Sequence, residues 1–293
     1  MEKQRPPKLF NSDAEKKKRF SLMTSKHVRS EISVLDTPYP NYLYKYLNSN
    51  IDSDKLSCLL INSDLFLSSR TVFNDPFDST ACIMLNTNKQ KQRKDFEFFI
   101  KEGLKQNDQK MNALAVQAMV SDQMAKIENI PFYLEDFMVS HINNIGMYCL
   151  SENNKNILMW SHYANNHEGL VLEFDVAEAI EAFFPAFKIT YSSHYPILNF
   201  LNKNEKEYFK LLTTKYSNWN YEEEWRLIRT NGAYKYLAFN PKALVSLTFG
   251  CKAGNKIRSL VSELLKKRDE LGLPKIQIKQ AYLHESEFEL WVE

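Results

Sequence analysis

Glycine is scarce. Only 7 of the 293 residues are glycine. No G-x-G-x-x-G and no G-x-x-x-x-G-K-[ST] is present, which excludes a phosphate cradle of the glycine-rich kind. Paired cysteines are missing as well. Cys58, Cys82, Cys149 and Cys251 are scattered, with no C-x-x-C spacing. They read as reduced thiols of a cytoplasmic protein, and a cysteine zinc site is not expected. No apolar run approaches the roughly 18 residues of a membrane span. The opening "MEKQRPPKLF" lacks the apolar core of a secretory signal. The expectation is a cytoplasmic protein with no membrane partner. Internal repeats and low-complexity linkers are absent too.

What is present is ordinary globular composition with a surplus of rings. Apolar residues make up 44% and charged residues 25%, which fits a globular chain with a full core. Net charge is only +2, so a globally basic nucleic-acid binder is not supported. The charge is nonetheless uneven. Residues 1–35 hold nine Lys and Arg against four Asp and Glu, and the rest holds 29 against 32. The basic run "EKKKRF" could meet a nucleic acid or an acidic protein, but a solvated tail is the simpler reading. The pattern fixes no oligomeric state.

The organisation expected is a basic N-terminal extension, 1–38, followed by a single α+β domain, 39–293. Tyr42 to Leu47 reads as a first strand. "DSDKLSCLLINS" reads as a short helix capped by Asp52 or Ser53, with Leu56, Leu59 and Leu60 inward. Residues 89–143 have helical periodicity and form a helical insertion. From Gly146 the strands return: "GMYCLS", a helix through "NILMWSHYA", then "GLVLEFD". "NEKEYFKLLTTKY" reads as helical and "EWRLIRT" and "ALVSLTFG" as strands. Ile257, Leu260, Val261, Leu264 and Leu265 mark one face of a helix. "KIQIKQAYL" and "EFELWV" close the chain as an antiparallel pair. Strands and helices do not alternate regularly. That indicates a mixed, mostly antiparallel sheet and not a doubly wound parallel one.

Three patches could carry chemistry. In "FNDPFDS", Asn74, Asp75 and Asp78 surround a proline. They either present polar groups to a ligand or bond their own backbone in a turn. On the helix of "NILMWSHYA", Trp160 and Tyr163 share a face, His162 adjoins it and His167 lies just beyond the end. These rings could stack on a base or nicotinamide, or serve as core with satisfied tips. The spacing His162-x4-His167 is not the i, i+4 pair of a helical zinc site, and no metal is expected. The third patch is "NWNYEEEWRLI". If its strand begins near Tyr221, Glu222, Glu224 and Arg226 share one face. The cluster is then either an Arg226–carboxylate bridge pinning the strand, or a carboxylate poised beside a developing cation.

The segments "LYKYL", "LFLSSRTVFNDPFD", "MYCLSE", "LMWSHYANNHEGLVLEFD", "YEEEWRLI" and "LVSLTFG" occur in that order. Over about residues 42–292 this resembles a bacterial family known only as a domain of unknown function (DUF2971). The order of parts also resembles, at the level of fold, the ADP-ribosyltransferases. That resemblance implies NAD as a substrate. It places Tyr44 or Lys45 on the early NAD-contacting strand, Ser151 on the central strand, and Glu224 with Glu222 as the late catalytic E-x-E. In such enzymes the late glutamate holds a ribose hydroxyl and favours an oxocarbenium-like transition state. On this reading Trp160, His162 and Tyr163 line the pocket, Asn74 and Asp75 close it, and Arg226 completes the nucleotide contacts. Two alternatives stand beside it. One is a non-catalytic sensor or partner-binding protein of bacterial stress or phage defence. The other is a metal-dependent hydrolase or nuclease using Asp75, Asp78, Glu222 and Glu224.

Overall fold

The tyrosine-rich run Tyr42–Leu47 is a strand, β1, with the bounds that the sequence predicts. In the computed structural model the described residues are 40–83, 88–106, 108–126, 139–183, 186–198 and 205–293. The expected basic extension, 1–38, lies outside them. The strands that follow are β2 (Asp64–Phe66), β3 (Cys82–Ile83), β4 (Gly146–Ser151), β5 (Leu170–Asp175) and β6 (Phe187–Lys188). Then come β7 (Thr190–Ser192), β8 (Ile197–Leu198), β9 (Thr214–Tyr216), β10 (Glu224–Arg229) and β11 (Tyr236–Ala238). The last are β12 (Leu244–Phe249), β13 (Gln277–Leu283) and β14 (Leu290–Val292). Among the described residues the main sheet has eight strands in the order β14-β13-β12-β5-β1-β4-β10-β6. Its pairs are antiparallel apart from β12 with β13. The fold is therefore α+β with a mixed, mostly antiparallel sheet, as expected.

Helices cover both faces of that sheet. Helix α1 (Ser53–Ser57) starts on Asp52, whose side chain accepts from the Asp54 and Lys55 amides. It runs into a π-helical turn, Cys58–Asn62, and Leu56, Leu59 and Leu60 are all buried. Helices α2 (Lys89–Gln106) and α3 (Ala113–Ala125), with a helical segment at 139–143, lie in the stretch expected to be a helical insertion. Helices α4 (Ile157–Tyr163), α5 (Ile180–Phe183), α6 (Glu205–Thr213) and α7 (Asn255–Glu270) complete the set. On one face Ile257, Val261 and Leu264 of α7 pack with Leu43, Leu56 and Leu172. Across the sheet, Met159 and Trp160 of α4 pack with Tyr46 and Val171. Leu211 and Leu212 of α6 pack with Met147 and Ile228 in a neighbouring cluster. Strand alternation makes this division, since Leu43 and Tyr46 of one strand serve opposite layers.

Gly169 lets α4 sit this close. A Cβ there would lie 2.0 Å from the Leu47 carbonyl oxygen and 2.9 Å from that of Ala164. Only glycine admits that approach, so the turn from α4 into β5 can pack directly on β1.

Two local expectations are corrected. The helix read through Tyr216 ends at Thr213, and Thr214–Tyr216 is strand β9, paired in parallel with β7. A threonine pair followed by Lys-Tyr suits a strand better than a helix, because branched and aromatic side chains lose rotamer freedom in a helix. The strand read over "EWRLIRT" is β10 and begins at Glu224, so the supposed start near Tyr221, on which the shared face of Glu222 and Glu224 rested, does not hold. Ser217–Glu222 is a 3-10 turn, and Glu223 closes it in the left-handed region at φ 45°. The run Ser-Asn-Trp-Asn favours a turn because its short polar side chains compete for the backbone.

The sheet also carries a wedge. Strands β1 and β4 pair at one position, Tyr44 with Ser151. Beyond it β4 takes a different neighbour. Met147 and Ser68 exchange backbone hydrogen bonds of 2.8 Å each. Between these points the Lys45 ammonium donates to the Cys149 carbonyl at 2.9 Å, where a strand would otherwise bond. The gap between β1 and β4 positions the site.

Candidate functional site

Three adjacent strands put three of the expected residues in one row. Tyr44 on β1 stands opposite Ser151 on β4, and Ser151 stands opposite Glu224 on β10. In-register residues of antiparallel neighbours share a face, so all three meet one cavity. That cavity measures about 330 Å³. Its wall includes Tyr44, Lys45, Asn74, Ser151, Tyr163 and Glu222, all expected, together with Lys215. Glu224 and Asp78 reach it from below.

Beneath the cavity lies a buried ionic cluster. Arg226 is fully buried and clamps two carboxylates at once. Its Nε donates to Glu224 Oε1 at 2.7 Å and its Nη2 to Glu224 Oε2 at 3.0 Å. Nη1 and Nη2 donate to the two Asp78 oxygens at 2.9 Å each. The Leu212 carbonyl takes a further bond from Nη1 at 3.0 Å. Such planar two-pronged pairing is what a guanidinium offers and an ammonium does not. Lys215 supplies the second cation. Its Nζ lies 2.5 Å from Glu222 Oε2, 3.3 Å from Glu224 Oε2 and 3.7 Å from Asp78 Oδ2. Burial works against every one of these charges. Four anionic or acidic neighbours, led by Glu224, nevertheless hold Lys215 above the ordinary lysine range. Glu224 and Asp78 do the same for Arg226.

The two glutamates differ sharply. For Glu224, burial is outweighed by Arg226 and Lys215, and the carboxyl is pulled down to about 2. Its amide donates to the Tyr191 hydroxyl at 2.9 Å, so backbone and side chain are both held. For Glu222, burial dominates and the Glu224 charge adds to it, against Lys215 and Tyr163. The result is a carboxyl raised above the usual range. The Tyr163 hydroxyl donates to Glu222 Oε1 at 2.5 Å, and Asn74 Nδ2 donates to that hydroxyl at 3.2 Å. The Ser151 hydroxyl donates to the Glu222 carbonyl at 2.6 Å and accepts from the Asn153 amide at 3.0 Å. Ser151 thus fixes the backbone from which Glu222 projects. Glu223, between the two, faces away and accepts from Asn153 Nδ2 at 3.2 Å. A non-glycine residue in the left-handed region is strained. That kink brings Glu222 back onto the Glu224 side although it precedes the strand.

Not every expected residue arrives here. Trp160 is buried core: it meets Tyr46 edge-on at 5.4 Å, stacks on His167 and donates from Nε1 to the Asn154 carbonyl at 2.8 Å. His162 is exposed and bonds the Tyr221 hydroxyl at 2.9 Å, outside the cavity wall. Asp75 accepts from the Phe77 amide at 2.9 Å, which closes the turn of its own loop. Arg226 lies under the cavity and not on its wall. The sequence reading missed Lys215, hidden in a segment taken for helix, and gave Asp78 no role in a nucleotide site. Among the described residues no group of three or more His, Cys, Asp or Glu is arranged to hold a metal ion. Asp78 and Glu224 already have Arg226 and Lys215 as cations. Among the same residues no helix is long and apolar enough to cross a membrane.

Residues 159–227 match the model of a family described as protein of unknown function (DUF2971), the family that the ordered motifs resemble. The matched segment runs from α4 into β10 and holds Tyr163, Lys215, Glu222, Glu224 and Arg226. It leaves out β1, the Asn74–Asp78 loop and Ser151. No curated protein and no solved structure matches the chain.

Proposed function

We propose that this DUF2971-family chain is an enzyme that breaks or transfers at the N-glycosidic bond of a nucleotide, with NAD as the substrate and Glu222 as the carboxylate facing the reaction. One observation carries the reading. In the cluster three carboxylates share Arg226 and Lys215; both cations converge on Glu224, whereas Glu222, at the cavity wall, has Lys215 alone as its ion-pair partner. A buried carboxylate whose burial is not fully offset by its one cation is unfavourable in the empty site. It becomes favourable when positive charge develops beside it, and an interaction stronger in the transition state than before it accelerates the reaction.

The step follows from that charge. The bond from the ribose anomeric carbon to the nicotinamide nitrogen breaks. Its electron pair goes to the nitrogen and neutralises the ring, and the positive charge passes to the ribose as an oxocarbenium-like centre. Water or an acceptor hydroxyl then bonds the anomeric carbon, and its proton leaves to Glu222 or solvent. Tyr163 and Lys215 orient Glu222, and Lys215 is itself positioned by Glu224. Asn74 supports Tyr163. The fold-level resemblance to ADP-ribosyltransferases assigned the reacting carboxylate to Glu224. Here Glu224 is given the anchoring role, because both its oxygens are committed to Arg226.

The test is nicotinamide release from NAD, with binding followed by calorimetry. Release is expected from the native chain, and Glu222→Gln should lower it about 100-fold or more, as for loss of a transition-state charge partner. Failure of the native chain both to bind NAD and to release nicotinamide would overturn the reading. Binding without release would leave a non-catalytic nucleotide sensor.

A further inference from the structure

A second cavity, of about 440 Å³, lies across the wedge. That volume is within the roughly 300–1,000 Å³ of small-molecule sites. It shares Lys45, Ser68, Val72, Phe73 and Cys149 with the Glu222 cavity, so the two meet where β1 and β4 part. Its wall carries four rings, Phe66, Phe73, Tyr148 and Tyr234. Alternation along β4 turns Tyr148 to the face opposite Ser151.

Two features of this wall lack an internal explanation. Tyr148 is only 5% exposed, and its hydroxyl has no hydrogen-bond partner among the described residues. A phenylalanine would bury the same ring without leaving a polar atom unpaired, so folding gains nothing from the oxygen. Lys45 is the second. Its ammonium sits 4.5 Å above the Tyr148 ring, and its acceptor is the Cys149 carbonyl. Among the described residues no carboxylate pairs with it. Burial pulls its pKa below the ordinary lysine value. A half-buried ammonium whose hydrogen bond goes to a carbonyl, placed where the two cavities meet, suits an anionic ligand group.

We infer that this second cavity is a base-binding subsite for a nucleotide, whose phosphate meets Lys45 and whose planar ring hydrogen-bonds the Tyr148 hydroxyl. Phe66 and Tyr234 supply apolar and stacking surface for the ring, and Asp64 offers an acceptor for an exocyclic amine. The inference rests on the proposed reaction for its direction: the scissile ribosyl end enters the Glu222 cavity and the far base crosses the wedge. It gives the substrate two ends joined by phosphate at Lys45.

The test is calorimetry on the full chain with AMP, GMP, CMP and UMP, and with ribose 5-phosphate as the baseless control. At least one mononucleotide should bind about tenfold or more tighter than ribose 5-phosphate. Tyr148→Phe should weaken that binding about fivefold or more while its melting temperature holds or rises, since an unpaired hydroxyl is removed. Lys45→Met should weaken it about tenfold or more. Glu222→Gln should leave mononucleotide affinity within about threefold, which separates failure of the subsite from failure of the proposed chemistry. No mononucleotide binding above the control, or unchanged binding by Tyr148→Phe, would overturn the inference.

Discussion

Glu222 and Glu224 are two residues apart, yet their titrations act on stability in opposite directions. Glu224 is held down to about 2, well below the ordinary range near 4.5. A lowered folded pKa means stability that is present above the unfolded value and lost as pH falls toward the folded one. The contribution is about 3 kcal/mol and should disappear between about pH 4.5 and 2. Thermal melts of the native chain against pH should show that loss, and Glu224→Gln should lack it. Glu222 is raised, so its contribution is present below the unfolded value and is lost as pH rises through the folded one. Ionisation of Glu222 as pH rises through that range therefore opposes folding. Arg226→Met would strand Asp78 and Glu224 together, with Lys215 as their remaining cation. The expected loss is about 3–5 kcal/mol, read as a lowered midpoint in denaturant titration.

At the scale of elements, the wedge between β1 and β4 governs the site, and Ser151 is its hinge point. Ser151→Ala would release the Glu222 carbonyl and the Asn153 amide. A loss of about 1–2 kcal/mol is expected, with nicotinamide release reduced because Glu222 shifts. A melting curve and an activity assay on one preparation check both. The elements themselves were largely legible. β1 and β5 follow from runs of branched and aromatic residues, and α7 from a clean apolar stripe. Asp52 announced its helix as a cap. The site was legible as residue types and less so as geometry. Tyr44, Ser151 and Glu224 were named from a resemblance, and their shared row depends on strand order, which local periodicity does not encode. Lys215 was lost because "TTKY" follows a helix without a break, although its threonines favour a strand. The face shared by Glu222 and Glu224 was expected from strand alternation, but a 3-10 turn and a left-handed Glu223 produce it.

At the scale of the whole molecule, one sheet separates two apolar layers, and the polar cluster is set into the layer that α4 and α6 cover. The aromatic helix α4 serves both roles through different residues. Trp160 fills core, so Trp160→Ala should cost about 3–5 kcal/mol. Exposed His162 should change stability by no more than about 0.5 kcal/mol when replaced by alanine. Chemical denaturation of the two variants side by side checks that division. It also shows why a cluster of Trp, His and Tyr in sequence overstated the site: helical projection sends Trp160 inward, His162 outward and only Tyr163 to the cavity.

The central claim is that Glu224 anchors and Glu222 reacts. The most direct measurement compares Glu222→Gln and Glu224→Gln at pH 7, recording melting temperature and nicotinamide release from NAD on the same samples. Glu222→Gln leaves two carboxylates to two cations, so its melting temperature should hold or rise while release falls about 100-fold. Glu224→Gln should melt lower, in line with a loss of about 3 kcal/mol. A Glu222→Gln variant that melts well below the native chain, or that still releases nicotinamide at the native rate, would contradict the account.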